Sequence, residues 1–348
     1  MNDSTKSADA ATADAEAPEA TKRSLRSRIF AGTGGRSLGL VIALVILVAV
    51  GAVTAGDNFM SFNNMLVILR LASVIGVVAI GMTFVITAAG IDLSVGSVLG
   101  LCSVVASLGA IQTAASGFWP LMVFASLAVG ILAGLVNGLV IAYGKVVAFM
   151  ATLAMLVAAR GIAELISDRK TLVVNNQGFL GFFRDDFLGI SWVVWIFAIV
   201  AVLGWFLLNR TTFGRRTVAI GGNATAARLA GVNVRRHTTY LYMLCGATAA
   251  IAATMLLSRT TAGTSTHGQL YELDAIAAVV VGGTLLVGGR GTIGGTVLGV
   301  LLFATLTNVF TQNNLSTSVQ LIAKGVIIVV AVMLQQRFAN REAAASTG

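Results

Sequence analysis

The chain has 348 residues, of which 57% are hydrophobic and only 11% are charged. In a soluble globular domain about a quarter of the residues are charged. The mean hydropathy of the chain is +0.90, so a soluble globular protein is excluded. The net charge of +9 fits the basic cytoplasmic loops of a membrane protein, and nucleic-acid binding is not predicted.

Cysteine and histidine chemistry is not indicated by the sequence. Cys102 and Cys245 lie in separate apolar runs and are predicted to be small core residues. His237 and His267 have no partner at metal-ligand spacing, and we expect them at the surface. We therefore predict no metal site, no cofactor and no catalytic residue, and the chain is not expected to be an enzyme.

The first 36 residues differ in composition from the rest of the chain. They are rich in Ala, Ser, Thr and acids and then turn basic, which predicts a disordered cytoplasmic tail. A cleaved signal peptide carries its basic residues at the start, whereas here the first apolar run begins only at Leu38. We therefore predict that this run is a retained helix.

Ten apolar windows follow the tail, each near the length of about 20 residues that crosses a bilayer. They predict an all-α polytopic membrane protein with about ten transmembrane helices in a domain over residues 37–337, followed by a short tail at 338–348. The windows are 38–55, 65–90, 93–111, 119–143, 147–167, 191–209, 239–258, 273–288, 293–310 and 319–336.

The distribution of basic residues sets the predicted orientation. With the N-terminus inside, inner segments carry 16 of the 23 lysines and arginines, and outer segments carry five. Because Lys and Arg accumulate in cytoplasmic loops, both termini are predicted to be cytoplasmic.

The inner segment 210–237 is polar and basic, and it contains a short predicted helix. Asn223 is its predicted N-cap and Gly231 its stop. Small Ala226 and Ala227 next to Arg228 would let this helix enter a groove on a partner. A helix lying on lipid headgroups explains the same pattern, and the pattern alone leaves both interpretations open.

Two glycine patterns have mainly structural interpretations. Gly289, Gly291 and Gly294 match G-x-G-x-x-G, but apolar membrane runs flank them, so we predict a tight turn and not a dinucleotide site. Glycines spaced by four, as at Gly130 and Gly134, allow close helix packing in lipid. No P-loop motif occurs, so ATP binding by this chain is not predicted.

Polar side chains inside apolar runs are the strongest local indication of a site, because a charge at the bilayer centre costs about 2.5–3.5 kcal/mol. Asp92 lies between two long runs, where it could cap the third helix with help from Ser94 or take part in a transport pathway; Asn137 lies in a helix interior. Arg160 and Glu164, four residues apart, are predicted to pair on one helix face.

Two stretches of the chain carry a family resemblance. Phe62–Gly100, with the core GIDLSVGS at Gly90–Ser97, closely resembles membrane permeases of ribose-type bacterial ABC sugar importers. NATAARLAGVNV and YELDAIAAVVVGGTLLVGGRGTIGGTVLG, within Asn223–Gly299, match the same family. The resemblance runs from about Leu38 to Gln336.

The resemblance implies a role for the inner helix. Thr225-Ala226-Ala227 followed by Gly231 resembles the coupling signature of these importers, in which Glu-Ala-Ala precedes a Gly at this spacing. Here Thr225 replaces the acid, which puts a specific ion pair in doubt but keeps the small docking face. The resemblance thus favours ATPase docking through Asn223, Thr225, Ala226, Ala227, Arg228 and Gly231.

The resemblance further implies a permease for a ribose- or xylose-like monosaccharide in the bacterial inner membrane. It would act as a homodimer with a separate cytoplasmic ABC ATPase and an extracytoplasmic sugar-binding protein, surrounded by membrane lipid. The pathway residues predicted on this basis are Asp92, Ser94, Asn137 and Thr152. A branched-chain amino-acid permease of the same architecture and an ion-coupled secondary transporter are the alternatives.

Overall fold

A computed structural model describes residues 33–327 together with 329, 330 and 333, with side chains described from Leu38 onward. The predicted terminal tails therefore lie almost wholly outside the described residues. From Ser37 onward the described residues belong to one compact unit.

Helices make up nearly all of this unit. In chain order they are α1 Thr33–Met60, α2 Phe62–Thr87, α3 Val95–Ser107, α4 Gly109–Ala114, α5 Pro120–Ala142, α6 Ala148–Ser167, α7 Gln177–Arg184, α8 Trp192–Arg210, α9 Thr212–Gly222, α10 Ala224–Leu229, α11 Val234–Thr260, α12 Tyr271–Val281, α13 Ile293–Gln312 and α14 Thr317–Ile327.

Two pairs of short strands complete the described structure. β1 (Leu172–Val173) pairs antiparallel with β4 (Ala262–Gly263), and β2 (Asp186–Phe187) pairs antiparallel with β3 (Ile190–Ser191). The first pair joins the loop after α6 to the residues that follow α11.

Seven of the described helices are long and apolar enough to cross a membrane: α1, α2, α5, α6, α8, α11 and α13. Two other predicted spans are shorter, and the tenth, 319–336, lies partly outside the described residues. α3 has 13 residues and α12 has 11, so at 1.5 Å per residue neither covers the roughly 30 Å hydrocarbon layer. The polytopic all-α prediction is confirmed, and helices interrupted by glycine-rich or polar backbone replace two of the predicted full spans.

The centre of the bundle is α11, of whose most apolar window 78% is buried, against 6% for α1. Glycine explains the close packing around α11. A side chain at Gly130 would collide with Gly246 O, and one at Gly134 with Tyr242 O. The predicted role of these spaced glycines in helix packing is confirmed, since backbone lies directly against backbone.

The G-x-G-x-x-G stretch forms the turn between α12 and α13, as predicted. Gly288 and Gly289 have φ of 85° and 78°, a region that L side chains rarely adopt. Gly289 N donates to Thr87 O at 2.9 Å. The turn is therefore fastened to the end of α2.

The cysteine prediction is confirmed, and the expectation of surface histidines is wrong for His237. Cys102 and Cys245 are both buried free thiols. His237 is also buried, 2.8 Å from Thr217 Oγ1, and His267 Nδ1 lies 3.1 Å from Ser103 Oγ. His267 is half-buried, and at each imidazole a hydroxyl from another part of the chain lies within hydrogen-bond distance of a ring nitrogen.

Candidate transport and coupling sites

Three of the predicted pathway residues form one hydrogen-bonded chain at the bend between α2 and α3. Asp92 Oδ1 accepts hydrogen bonds from Ser94 N at 2.9 Å and from Ser94 Oγ at 2.6 Å. Asn137 Nδ2, from α5, donates to Ser94 Oγ at 2.9 Å. The Ser94 hydroxyl thus both donates and accepts, and it joins the bend to α5.

Two further helices hold the same bend through one carbonyl oxygen. Thr152 Oγ1 of α6 lies 3.5 Å from Ile91 O, and Tyr242 OH of α11 donates to Ile91 O at 3.3 Å. The Tyr242 contact joins residues 151 positions apart. Sequence reasoning missed it, because a tyrosine in an apolar helix gives no local sign of its partner.

The bend is sealed in this conformation. Asp92 and Asn137 are each 2% exposed, Ser94 is 1% exposed and Thr152 is fully buried. Ser94, and not Asp92, is the N-cap residue of α3, so the capping interpretation is wrong in that detail. Asp92 accepts from the backbone N–H two residues on, which is an Asx turn.

Arg160 and Glu164 attract each other, as predicted, but the hydrogen bonds of the two side chains go elsewhere. Glu164 Oε2 instead accepts from Arg169 Nε at 3.0 Å, because the left-handed residues Asp168 and Arg169 fold the chain back over the end of α6. Arg160 Nη1 donates to His267 O at 3.1 Å. The guanidinium therefore reaches across to the segment between α11 and α12.

That segment was not assigned a role from the sequence. Ser103 Oγ of α3 donates to Thr264 O at 3.3 Å and lies 3.1 Å from His267 Nδ1. Two charged side chains lie near the part of this segment that leads into α12, and they attract each other: Arg160 of α6 and Glu272 of α12. Asp274, two residues beyond Glu272, forms an ion pair with Lys324 at 3.0 Å.

The predicted coupling segment, 210–237, has the helix boundaries that the sequence predicts. Asn223 Oδ1 accepts from Ala226 N at 2.9 Å, so Asn223 is the N-cap of α10. Gly231 has a φ of 85°, which is the left-handed conformation expected of a glycine after a helix. α10 therefore begins and ends where predicted.

The exposed face of α10 differs from the predicted one. Thr225, Ala226 and Arg228 are exposed, but Ala227 is buried against its own chain. Leu229, which the sequence analysis did not single out, is 85% exposed. An apolar side chain presented beside an arginine on a short helix is suited to contact with a partner surface.

A groove of about 510 Å³ lies beside this helix. Arg216, Asn233, Arg236 and Tyr240 are among the residues that line it, and Arg236 Nε donates to Tyr240 OH at 2.7 Å. The sequence from 209 to 237 contains six arginines and no acid. The groove is therefore positively charged and suits an acidic surface.

Metal binding has no candidate within the part of the chain that the structure describes. There, no group of three or more His, Cys, Asp or Glu side chains stands close enough to hold an ion.

Seven apolar spans, interrupted helices between them and buried polar contacts at the interruptions define a multi-pass membrane protein of the transporter class. The model of the family described as branched-chain amino acid transport system / permease component matches residues 64–332. The chain belongs to this permease family.

Curated relatives are similar over almost their whole length. The Escherichia coli (strain K12) ribose import permease protein RbsC is 40% identical over 85% of this chain and 92% of its own. The Bacillus subtilis (strain 168) ribose import permease protein RbsC is 41% identical over 87% and 93%. The Haemophilus influenzae xylose transport system permease protein XylH is 33% identical over 85% and 94%. The chain is accordingly a multi-pass protein of the bacterial plasma membrane.

No solved structure matches this chain at a significant level.

Proposed function

We propose that the chain is the membrane permease of an ATP-driven importer for a ribose- or xylose-like monosaccharide. The observation that carries the proposal is its similarity to ribose and xylose permeases over at least 85% of its length. The interrupted helices α3 and α12 support it, since transporters build their sites where helices break.

A separate cytoplasmic ATPase would drive the transport through α10. Its exposed Thr225, Ala226, Arg228 and Leu229 would enter a groove on the ATPase, with Asn223 and Gly231 fixing the two ends of the helix. α9 and α10 would then act as levers on the membrane helices, and the preference of the ATPase for one conformation would bias the transition.

The sealed bend would border the pathway. Asp92, Ser94, Asn137 and Thr152 connect α3 to α5 and α6, so a shift of these helices during transport would move the bend with them. In this proposal the four residues enter the pathway only when the transporter changes conformation.

The remaining partners follow from the family resemblance. Two copies of the chain would form a homodimer within membrane lipid, and a sugar-binding protein would deliver the solute from outside. A cleft of about 450 Å³ between α4 and the start of α7, lined by Gln112, Asn175 and Gln177 among others, offers a neutral polar surface for that partner on the predicted outer side.

A branched-chain amino-acid permease is the second candidate, because the matching family model carries that description. The relatives named above are ribose and xylose permeases by name, which favours sugar. An ion-coupled transporter would need no ATPase.

Uptake into proteoliposomes separates these candidates. The permease is purified with the ATPase and binding protein that accompany it in its native membrane, and labelled ribose, xylose and leucine are compared with and without ATP. We expect ATP-dependent pentose uptake and no leucine uptake. Uptake by the permease alone under an ion gradient would contradict the proposal, and ATP-dependent leucine uptake would favour the second candidate.

The docking role of α10 has its own test. Leu229→Glu places a charge in the contact, and we expect affinity for the ATPase to fall by about 2 kcal/mol, roughly 30-fold. The matched control is Leu188→Glu, since Leu188 is 78% exposed in the turn between β2 and β3.

Binding is measured by titrating the solubilised permease with ATPase. Unchanged affinity in Leu229→Glu, or an equal loss in Leu188→Glu, would show that α10 is not the docking helix. Gly231 ends α10, and Gly231→Trp should likewise weaken binding, because its φ of 85° disfavours any side chain.

A further inference from the structure

The segment from Gly263 to Leu270 follows one face of α3 through the bundle. A side chain at Gly263 would collide with Ser107 Oγ, one at Gly100 would lie 2.9 Å from His267 O, and one at Gly96 would collide with Gly268 O. These α3 positions are separated by about three turns, or about 16 Å. Gly263–Leu270, called here the re-entrant segment, thus runs antiparallel to α3 from its C-terminal end to its first turn.

This path places the re-entrant segment at membrane depth. α3 packs against the long spans α5, α6 and α11, and Arg160, near the middle of α6, reaches the segment at His267 O. Backbone outside helices is tolerated at this depth only where it is buried in protein or lines a water-filled cavity.

One side of the re-entrant segment is packed and the other is open. Its backbone lies on the glycines of α3, whereas Thr266 and Gln269 are exposed and Arg160 and Glu272 are partly exposed. A charged side chain that faces hydrocarbon at the bilayer centre is strongly disfavoured. The open side is therefore not a lipid-facing surface.

We propose that the open side of the re-entrant segment, together with Arg160 and Glu272, lines the water-filled pathway and contacts the transported solute. The inference rests on the proposed transport function. Hydroxyl, amide, guanidinium and carboxylate groups together offer donors and acceptors that match a neutral polyhydroxylated molecule. The His267 carbonyl holds the Arg160 guanidinium toward this surface.

The reactivity of introduced thiols tests whether the open side of the re-entrant segment is in contact with water. In a background with Cys102→Ala and Cys245→Ala, single cysteines are placed at Thr266 and Gln269. The controls are Val157→Cys on α6 and Val202→Cys on α8, each 65% exposed within a long apolar span. Open membrane fragments are treated with a charged, membrane-impermeant methanethiosulfonate, so that the result does not depend on orientation.

We expect the cysteines at 266 and 269 to react at least about tenfold faster than the controls, because the reactive thiolate forms in water and not in hydrocarbon. Rates equal to those of the controls would overturn the inference, whether lipid or a dry contact with a second copy covers the surface.

Transport then tests contact with the solute. The same variants are reconstituted with the ATPase and binding protein, and labelled ribose and xylose uptake is measured before and after modification. We expect modification at 266 or 269 to block most of the uptake and modification of the controls to leave it unchanged. Full uptake after complete modification at both positions would overturn the inference while leaving the transport function standing.

The parent without cysteines separates the two proposals. If the parent takes up neither sugar with its partners present, the proposed function fails, and the accessibility ratio still decides whether the re-entrant segment borders water.

Discussion

Two pieces of non-helical backbone flank α3, and they differ in how their polar groups are satisfied. At the bend before α3, Asp92 and Ser94 bond within the chain and are at most 2% exposed. In the re-entrant segment, Thr266 and Gln269 point away from the packed side and are exposed. A sealed polar cluster holds helices together, whereas an open one at membrane depth needs water or a partner.

The difference changes which residues are the strongest candidates for solute contact. The sequence directs attention to the bend, because GIDLSVGS is the most recognisable string. The geometry instead favours the re-entrant segment, which also lies beside α3 but has exposed polar side chains on one side. The following predictions test this contrast, beginning with the largest expected effect.

Gly96→Ala should break the contact between α3 and the re-entrant segment. The added methyl group would collide with Gly268 O and Glu272 Oε2; the carboxylate can move aside but the Gly268 backbone cannot, so we expect a loss of about 3 kcal/mol in stability. The matched control is Gly161→Ala on α6, where nothing lies within 4 Å and the gain in helix propensity is up to about 1 kcal/mol.

The thermal midpoint of the solubilised protein, followed by size-exclusion chromatography, measures both variants. A midpoint for Gly96→Ala equal to that of Gly161→Ala would mean that the re-entrant segment is not packed on α3.

Asp92→Ala should destabilise the sealed bend. It removes the acceptor of Ser94 N and Ser94 Oγ, both buried, at a cost of about 2 kcal/mol. Asp92→Asn keeps a carbonyl oxygen at that position and should retain most of the stability. Equal midpoints for the two variants, measured in the same assay, would contradict the bracing role of the carboxylate.

Thr152→Val should have the smallest effect. The long contact to Ile91 O at 3.5 Å is lost, but Ile91 O keeps its bond from Tyr242 OH, so stability should change by less than about 1 kcal/mol. Normal pentose uptake is expected if Thr152 only supports the bend. Strongly reduced uptake at unchanged stability would instead place Thr152 in direct contact with solute.

Much of the architecture could be predicted because the bilayer imposes a simple rule on the sequence. Windows of about 20 apolar residues predicted the long helices, and Asn223 and Gly231 predicted both ends of α10, since these signals act over a few residues. The Arg160 prediction was incomplete for the opposite reason. Spacing by four lets Arg160 and Glu164 attract each other, but the hydrogen-bond partner of Arg160 is His267 O, 107 positions away, and that of Glu164 is Arg169, beyond the end of α6.

The sequence by itself determined a multi-span helical permease, its family and the position of α10 in the chain, because hydropathy, capping and motif strings are local properties of the chain. Only the tertiary structure decided that the bend is sealed, that α3 and α12 are short, and that a re-entrant segment carries an open polar side. These features depend on glycine-permitted backbone contacts such as that of Gly96 with Gly268, which join residues far apart in the chain and leave no local pattern to find.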